Sequence, residues 1–214
     1  MYGTGIRHRT LEAATHAVRK SYEEEGSECL LLVDANNAFN KLNRKVSLEK
    51  IRRLCPPMYT YLHNSYNTPT MLYIWKMGTT YCHRRVWHKE GTMQQWQCTP
   101  YPHDQWPLIQ TLSNETINDK VKQVWYADDG SAVGSLAGVR KWWEYLKAKG
   151  PDFGFYPKPT KTILIIKDSS LLQSAQKFFK NQGIKITNYG ECYLGLVIGT
   201  KSFKEQCTKN KVEG

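Results

Sequence analysis

The sequence predicts an α+β fold in which helices cover one face of a mainly antiparallel sheet. Two hairpin-like patterns, one clearly amphipathic helix, and strands interspersed with helices point to it. A chain of 214 residues, 40% of them apolar, is long enough for one sizeable core. Neither a repeat nor a low-complexity linker interrupts the pattern.

In chain order, Leu11, Ala14, Ala17 and Val18 share one helical face within residues 10 to 25, with Thr10 as the N-cap and Gly26 as the stop. Cys29-Leu30-Leu31-Leu32-Val33 is continuously apolar, as expected of a buried strand, and delivers Asp34 to its carboxyl end. Arg44 to Leu54 has helical spacing, and Pro56-Pro57 are expected to end it. Met71 to Trp75 and Tyr81 to Trp87 flank Lys76-Met77-Gly78-Thr79 as a hairpin. Lys122 to Tyr126 and Ser131 to Val133 form a second hairpin around the acidic pair.

Leu136, Val139, Trp143 and Leu146 make one stripe on a helix from Leu136 to Lys149, with Gly150-Pro151 as its stop. Trp142-Trp143 is read as helix packing. A strand at Thr162 to Ile166, a helix near Leu171 to Phe179 and a strand at Tyr193 to Ile198 follow.

Thirty basic against nineteen acidic side chains leave a net charge of +11, which suits a polyanionic partner such as DNA or RNA, although basic proteins that bind none carry the same bias. The six cysteines form no CxxC pair and no dense framework, which favours thiols in a reducing compartment. The apolar run at Cys29 to Val33 is too short to span a bilayer, and the opening residues lack a signal-peptide pattern. The expected setting is cytoplasmic or nuclear, with no membrane partner; the oligomeric state is left open.

The acidic pair Asp128-Asp129 has two readings. Asp-Asp-Gly at a hairpin tip is ordinary turn chemistry. Adjacent carboxylates behind the hydrophobic strand Val124-Trp125-Tyr126 also repel each other and are best ionised beside a cation. Two-metal phosphoryl or nucleotidyl transfer needs such hard oxygen ligands, with ions about 3.5–4 Å apart, and Asp34 is the natural third carboxylate.

The stretch Leu32-Val33-Asp34-Ala35-Asn36-Asn37-Ala38-Phe39-Asn40 resembles the first catalytic motif of reverse transcriptases, and Tyr126-Ala127-Asp128-Asp129 looks like their signature turn. Gly154-Phe155-Tyr156 with Lys161-Thr162 is similar to the family's glycine-then-lysine motif. Tyr193-Leu194-Gly195 with Ile198-Gly199 resembles its primer-grip hairpin. The resemblance runs from about Leu30 to Thr200, in the family's motif order, and has the flavour of retroelement enzymes.

It implies a polymerase palm over residues 29–200, a remnant of the fingers over 1–28 and the truncated start of a following region over 201–214. It also implies an RNA template, a DNA primer and dNTPs as partners. Asp34 and Asp128, assisted by Asp129, would hold two Mg²⁺ ions, with Mn²⁺ as a substitute. Lys161 would act at the triphosphate as charge stabiliser or proton donor, with Lys158 as its rival and a solvated surface lysine as the plain alternative. Phe39 would lie under the incoming sugar, unless it is a core phenylalanine. Tyr126, Tyr193, Leu194 and Gly195 would contact substrate, and Gln94 would help hold template and nucleotide.

The pattern breaks after Gln94. Glu90-Gly91-Thr92-Met93-Gln94 begins the family's middle motif, but Gln95-Trp96-Gln97-Cys98-Thr99-Pro100-Tyr101-Pro102-His103 lacks its glycine and its Ala/Met helix, and agreement returns at Pro107-Leu108-Ile109. Read from the third base of each codon, Gln94 to Pro102 encode Ala or Thr, Met or Val, Ala, Met or Val, His or Tyr, a small residue, then Leu, Ile or Val. A frameshift entering near Gln94 and reversed before Pro107 accounts for that match, and a divergent loop is the alternative. The genomic sequence distinguishes them.

Cys82, His83, His88, Cys98 and His103 fit no strong zinc spacing. Arg84, Arg85, His88 and Lys89, interleaved with Tyr81 and Trp87, read equally as a nucleic-acid surface and as a solvated hairpin. Two functions from different classes therefore stand: an RNA-directed DNA polymerase fragment, and a catalytically inactive remnant that at most binds nucleic acid.

Overall fold

The computed structural model describes residues 5–7, 11–36, 48–49, 51–53, 56–66, 71–76, 79–84 and 106–213. Ten strands are found there: β1 (Gly5–Arg7), β2 (Cys29–Val33), β3 (Met71–Lys76), β4 (Thr79–Arg84), β5 (Lys122–Tyr126), β6 (Asp129–Gly134), β7 (Ile163–Ile166), β8 (Lys185–Thr187), β9 (Gly190–Tyr193) and β10 (Leu196–Gly199). The named helices are α1 (Leu11–Glu23), α2 (Pro56–Tyr66), α3 (Trp106–Glu115), α4 (Leu136–Lys149), α5 (Leu172–Phe178) and α6 (Lys201–Glu213). The fold is α+β with a mainly antiparallel central sheet, in the order β1-β5-β6-β2-β7-β8. Its β5, β6, β2 and β7 pair antiparallel, while β1 and β8 add parallel edges. The β3–β4 and β9–β10 hairpins are separate two-stranded sheets.

Every residue of β2 is buried, because the strand is covered on both faces. Cys29, Leu31 and Val33 point toward α3, α4 and α5, where Leu108, Leu112, Val139, Trp142, Trp143, Leu146 and Ala175 close the larger core. Leu30 and Leu32 point the other way, into a smaller core made with Ala14, Val18 and Tyr22 of α1 and Tyr193 and Ile198 of the β9–β10 hairpin. A continuous apolar strand is what two-sided burial demands.

Helix α4 has the predicted boundaries and stripe. Ser135 caps it, with Oγ accepting from the Gly138 N–H at 3.2 Å. Its predicted stop is displaced. Gly150 stays right-handed and opens a 3-10 turn, and the chain reverses at Gly154, where φ is +77°. Pro56-Pro57 open α2, because proline's missing N–H is harmless in a first helical turn. Leu62 of α2 is buried against Leu48 and Ile51. The expected single strand from Tyr193 to Ile198 is a hairpin turning at Leu194-Gly195, as the motif resemblance implied. Strands β1 and β8 and helices α2, α3 and α6 add to the elements read from the sequence. No helix among the described residues is long and apolar enough to cross a membrane.

One buried amide ties the larger core to β5. Gln123 Oε1 accepts from Trp125 Nε1 at 2.8 Å and from Trp142 Nε1 at 3.2 Å, while its Nε2 donates to Ile109 O at 2.9 Å and Ser113 Oγ at 2.6 Å. Thus β5, α3 and α4 share a single satisfied polar group. Gln123→Leu removes these partnerships and leaves buried indole N–H groups unpaired. Its expected cost is about 2–4 kcal/mol in unfolding free energy, read as a lowered urea midpoint with an unchanged slope. A cost within about 0.5 kcal/mol would show that the network carries no such weight.

Candidate active site

Strand pairing brings the three acidic residues together. Tyr126 pairs with Asp129 across a two-residue turn of Ala127 and Asp128. Val33 pairs with Gly130, so Asp34 leaves β2 beside the start of β6. Past Asp34 the chain runs against a second segment: Lys158 N donates to Asp34 O at 2.8 Å, Asn36 N donates to Tyr156 O at 2.6 Å, and Ala35 bridges Pro157. That segment then winds into the 3-10 turn Pro159–Lys161.

Lys161 closes the group. Its Nζ lies 2.8 Å from Asp34 Oδ2, an ion pair in which the lysine side chain is 60% exposed and the aspartate 27%. The hydrogen bond to Asp34, then its charge, hold the Lys161 ammonium above its ordinary pKa, and the charges of Asp128 and Asp129 add to this. Asp129 moves in the unfavourable direction. Burial, then the charges of Asp128 and Asp34, push its carboxyl up to about 7 against the opposing pull of Lys161. The site is short of positive charge.

The predicted tip is corrected by one step. Asp-Asp-Gly is not the turn: Ala127 and Asp128 make it, with Ala127 at φ +48°, where a side chain is strained. Gly130 lies within β6 opposite Trp125, and a Cβ there would come within 2.9 Å of Trp125 Cζ3. The ring cannot retreat easily. Phe155 packs edge-on at 5.3 Å between centroids, Trp142 lies at 6.0 Å, and Gln123 holds the indole nitrogen. Gly130 is therefore set by indole packing.

Tyr193 reaches the same place from the opposite sheet face. It is buried, with its phenol beside Ser131, whose hydroxyl donates to Val124 O at 2.9 Å. Burial first, then the charges of Asp129 and Asp128, raise its phenol pKa. Leu194 and Gly195 form the hairpin turn with φ of +48° and +81°. Tyr126 is half-buried against the smaller core. Phe39 and Gln94 lie outside the described residues, as do the side chains of Cys82, His83, Arg84, Arg85, Trp87, His88, Lys89, Cys98 and His103.

Sequence reading missed Gln123, Trp125 and Ser131 as supports of the site. A polar residue at period two with Trp125, on the buried face of β5, was the available signal for Gln123.

The chemistry of the donor set fits a hard divalent cation: carboxylate oxygens, one already paired with a cation and one whose pKa is raised by burial and then by its acidic neighbours. Among the described residues, no three His, Cys, Asp or Glu side chains are gathered as a ready-made metal cage. Asp34 is instead paired with Lys161.

The raised Asp129 pKa has a definite sign. The folded state keeps this proton where the unfolded chain, with a pKa of about 3.9, has lost it. The contribution to stability therefore falls as pH rises from about 4 through about 7. Asp128→Asn removes one like charge, so the Asp129 pKa is expected to fall while staying above the ordinary carboxylate range, because burial is the largest cause. Carboxyl-carbon NMR titration of the metal-free protein reads this, and an unmoved pKa would rule out Asp128 as a contributor.

No family model and no curated protein matches this sequence. Among solved structures, the chain is similar to an apo telomerase from Candida tropicalis truncated from its C-terminal domain, with 12% identity and a TM-score of 0.43. The likeness covers 76% of this chain and 36% of the telomerase chain, so the chain spans little more than a third of that protein's length.

Proposed function

We propose that this chain is the palm region of a retroelement's RNA-directed DNA polymerase, acting on an RNA template, a DNA primer and dNTPs in the cytoplasm or nucleus. The observation that carries this reading is the convergence of Asp34, Asp128, Asp129 and Lys161 from three distant segments. Their residue types and chain order are those of the reverse-transcriptase motifs.

In this reading Asp34, Asp128 and Asp129 hold Mg²⁺, or Mn²⁺ in its place. When bound, the metal supplies the positive charge that activates a primer 3′-hydroxyl and stabilises the leaving pyrophosphate. Lys161, released from Asp34, turns its exposed ammonium to the triphosphate and donates a proton or a charge-assisted hydrogen bond there. Phe39 excludes a 2′-hydroxyl by bulk. Gln94 positions template and nucleotide, Tyr126 fixes the base of the acidic turn, and Tyr193-Leu194-Gly195 orient the primer end.

A second reading, a catalytically inactive remnant that binds nucleic acid through its net charge of +11, is favoured by the break in the motif pattern after Gln94. Primer extension on an RNA template, with Mg²⁺ or Mn²⁺ and Asp128→Asn as control, separates the two. Polymerase function predicts metal-dependent incorporation that drops at least about 100-fold in the variant. Equal incorporation in both proteins, or none in either, leaves the remnant.

A further inference from the structure

Outside the acidic site, among the described residues, the fold brings two cysteine side chains together. Cys192 lies on β9 and Cys207 on α6, with their sulfur atoms 4.0 Å apart. Cys192 is exposed and Cys207 half-buried, so solvent reaches the pair. Cys29 differs: it is fully buried, and burial pushes its thiol pKa up, which keeps it inert.

Other contacts hold β9 and α6 in register around the two sulfurs. Tyr189, just before β9, packs edge-on against Phe203 of α6 at 5.2 Å between centroids, and its hydroxyl donates to Gln206 Oε1 at 3.1 Å. Lys204 of α6 reaches Glu23 of α1 at 3.1 Å. A disulfide needs an S–S distance of about 2.05 Å, so the 4.0 Å separation has to close by about 2 Å when the bond forms.

We propose that Cys192 and Cys207 form an oxidisable dithiol site that hydrogen peroxide converts into a disulfide joining β9 to α6. The Cys192 thiolate attacks one peroxide oxygen, the O–O bond breaks, and hydroxide leaves, giving a sulfenic acid. The Cys207 thiolate then attacks that sulfur, the S–O bond breaks, and the S–S bond forms. Both thiol protons end in water, so two thiols and one peroxide give one disulfide and two waters. The consequence reaches the candidate active site by one residue: Tyr193, next to Cys192 on β9, is the buried phenol on which the charges of Asp129 and Asp128 act. Oxidation fixes the strand that carries it. The proposal stands apart from any polymerase reading.

The test is stepwise peroxide treatment of the full chain, alkylation of remaining thiols, and tryptic mass mapping, followed by hydrogen exchange on the oxidised and dithiothreitol-reduced forms. The expected product is an intramolecular cross-link between the Cys192 and Cys207 peptides, reversed by dithiothreitol. Amides of α6 should exchange about tenfold more slowly in the oxidised form. Cys207→Ser, a substitution on a solvent-accessible helix face, should keep the reduced exchange pattern and lose the oxidation-dependent slowing. Cross-links through other cysteines, intermolecular dimers, or sulfinic acid at Cys192 without the cross-link would each overturn the proposal.

Discussion

The carboxamide of Gln123 sits at the junction of β5, α3 and α4, and the position of the acidic turn follows from it. Its oxygen fixes two indole nitrogens at once, which sets the Trp125 ring between Phe155 and Trp142. That ring lies across Gly130, the residue that pairs with both Trp125 and Val33. The β5–β6 pairing and the β2–β6 pairing are thus locked over the same few atoms. Because side chains alternate along a strand, a one-residue slip in either would turn Asp129 to the wrong sheet face. A buried amide costs desolvation, and here that cost is offset by the hydrogen bonds it makes.

Charge is the second constraint. Asp129 is half-buried beside Asp128 and Asp34, and one exposed lysine is paired with the cluster through Asp34. A lysine with a flexible stem is a compact counterion that can leave. Protonation of Asp129 near neutral pH and the Lys161–Asp34 pair are two responses of the same site to one shortage.

What was legible in the sequence was what periodicity and order reveal. The stripe Leu136, Val139, Trp143 and Leu146 gave α4, and the apolar run from Cys29 gave β2, because both depend on burial that the pattern itself encodes. Pro56-Pro57 were read as the stop of the helical segment before them; they also open α2, whose Leu62 is buried with Leu48 and Ile51, a contact with no local signature. Helix α6 has little apolar periodicity and is tied down by Phe203, Lys204 and Gln206, contacts with no local signature. Asp34, Asp128, Asp129 and Lys161 were readable as residue types, and the structure adds their proximity. The reason for Gly130 was not readable, since it depends on a ring across the strand pair and not on the turn.

Strand order explains how residues so far apart in the chain meet. In the order β6-β2-β7 the central strand is β2, running antiparallel to both neighbours, so its carboxyl end meets the amino ends of β6 and β7. Asp34 leaves β2 at that point, Asp129 begins β6 on one side, and the turn carrying Lys161 precedes β7 on the other. One aspartate is therefore flanked by carboxylates on one side and an ammonium on the other. The β9–β10 hairpin covers the remaining side by bringing Tyr193 onto Ser131, in the same strand as Asp129. Each of these groups is held by backbone pairing or a buried hydrogen bond, while Lys161 reaches the cluster on an exposed, flexible side chain. Of the charged groups gathered here, Lys161 is the one whose movement costs the fold least.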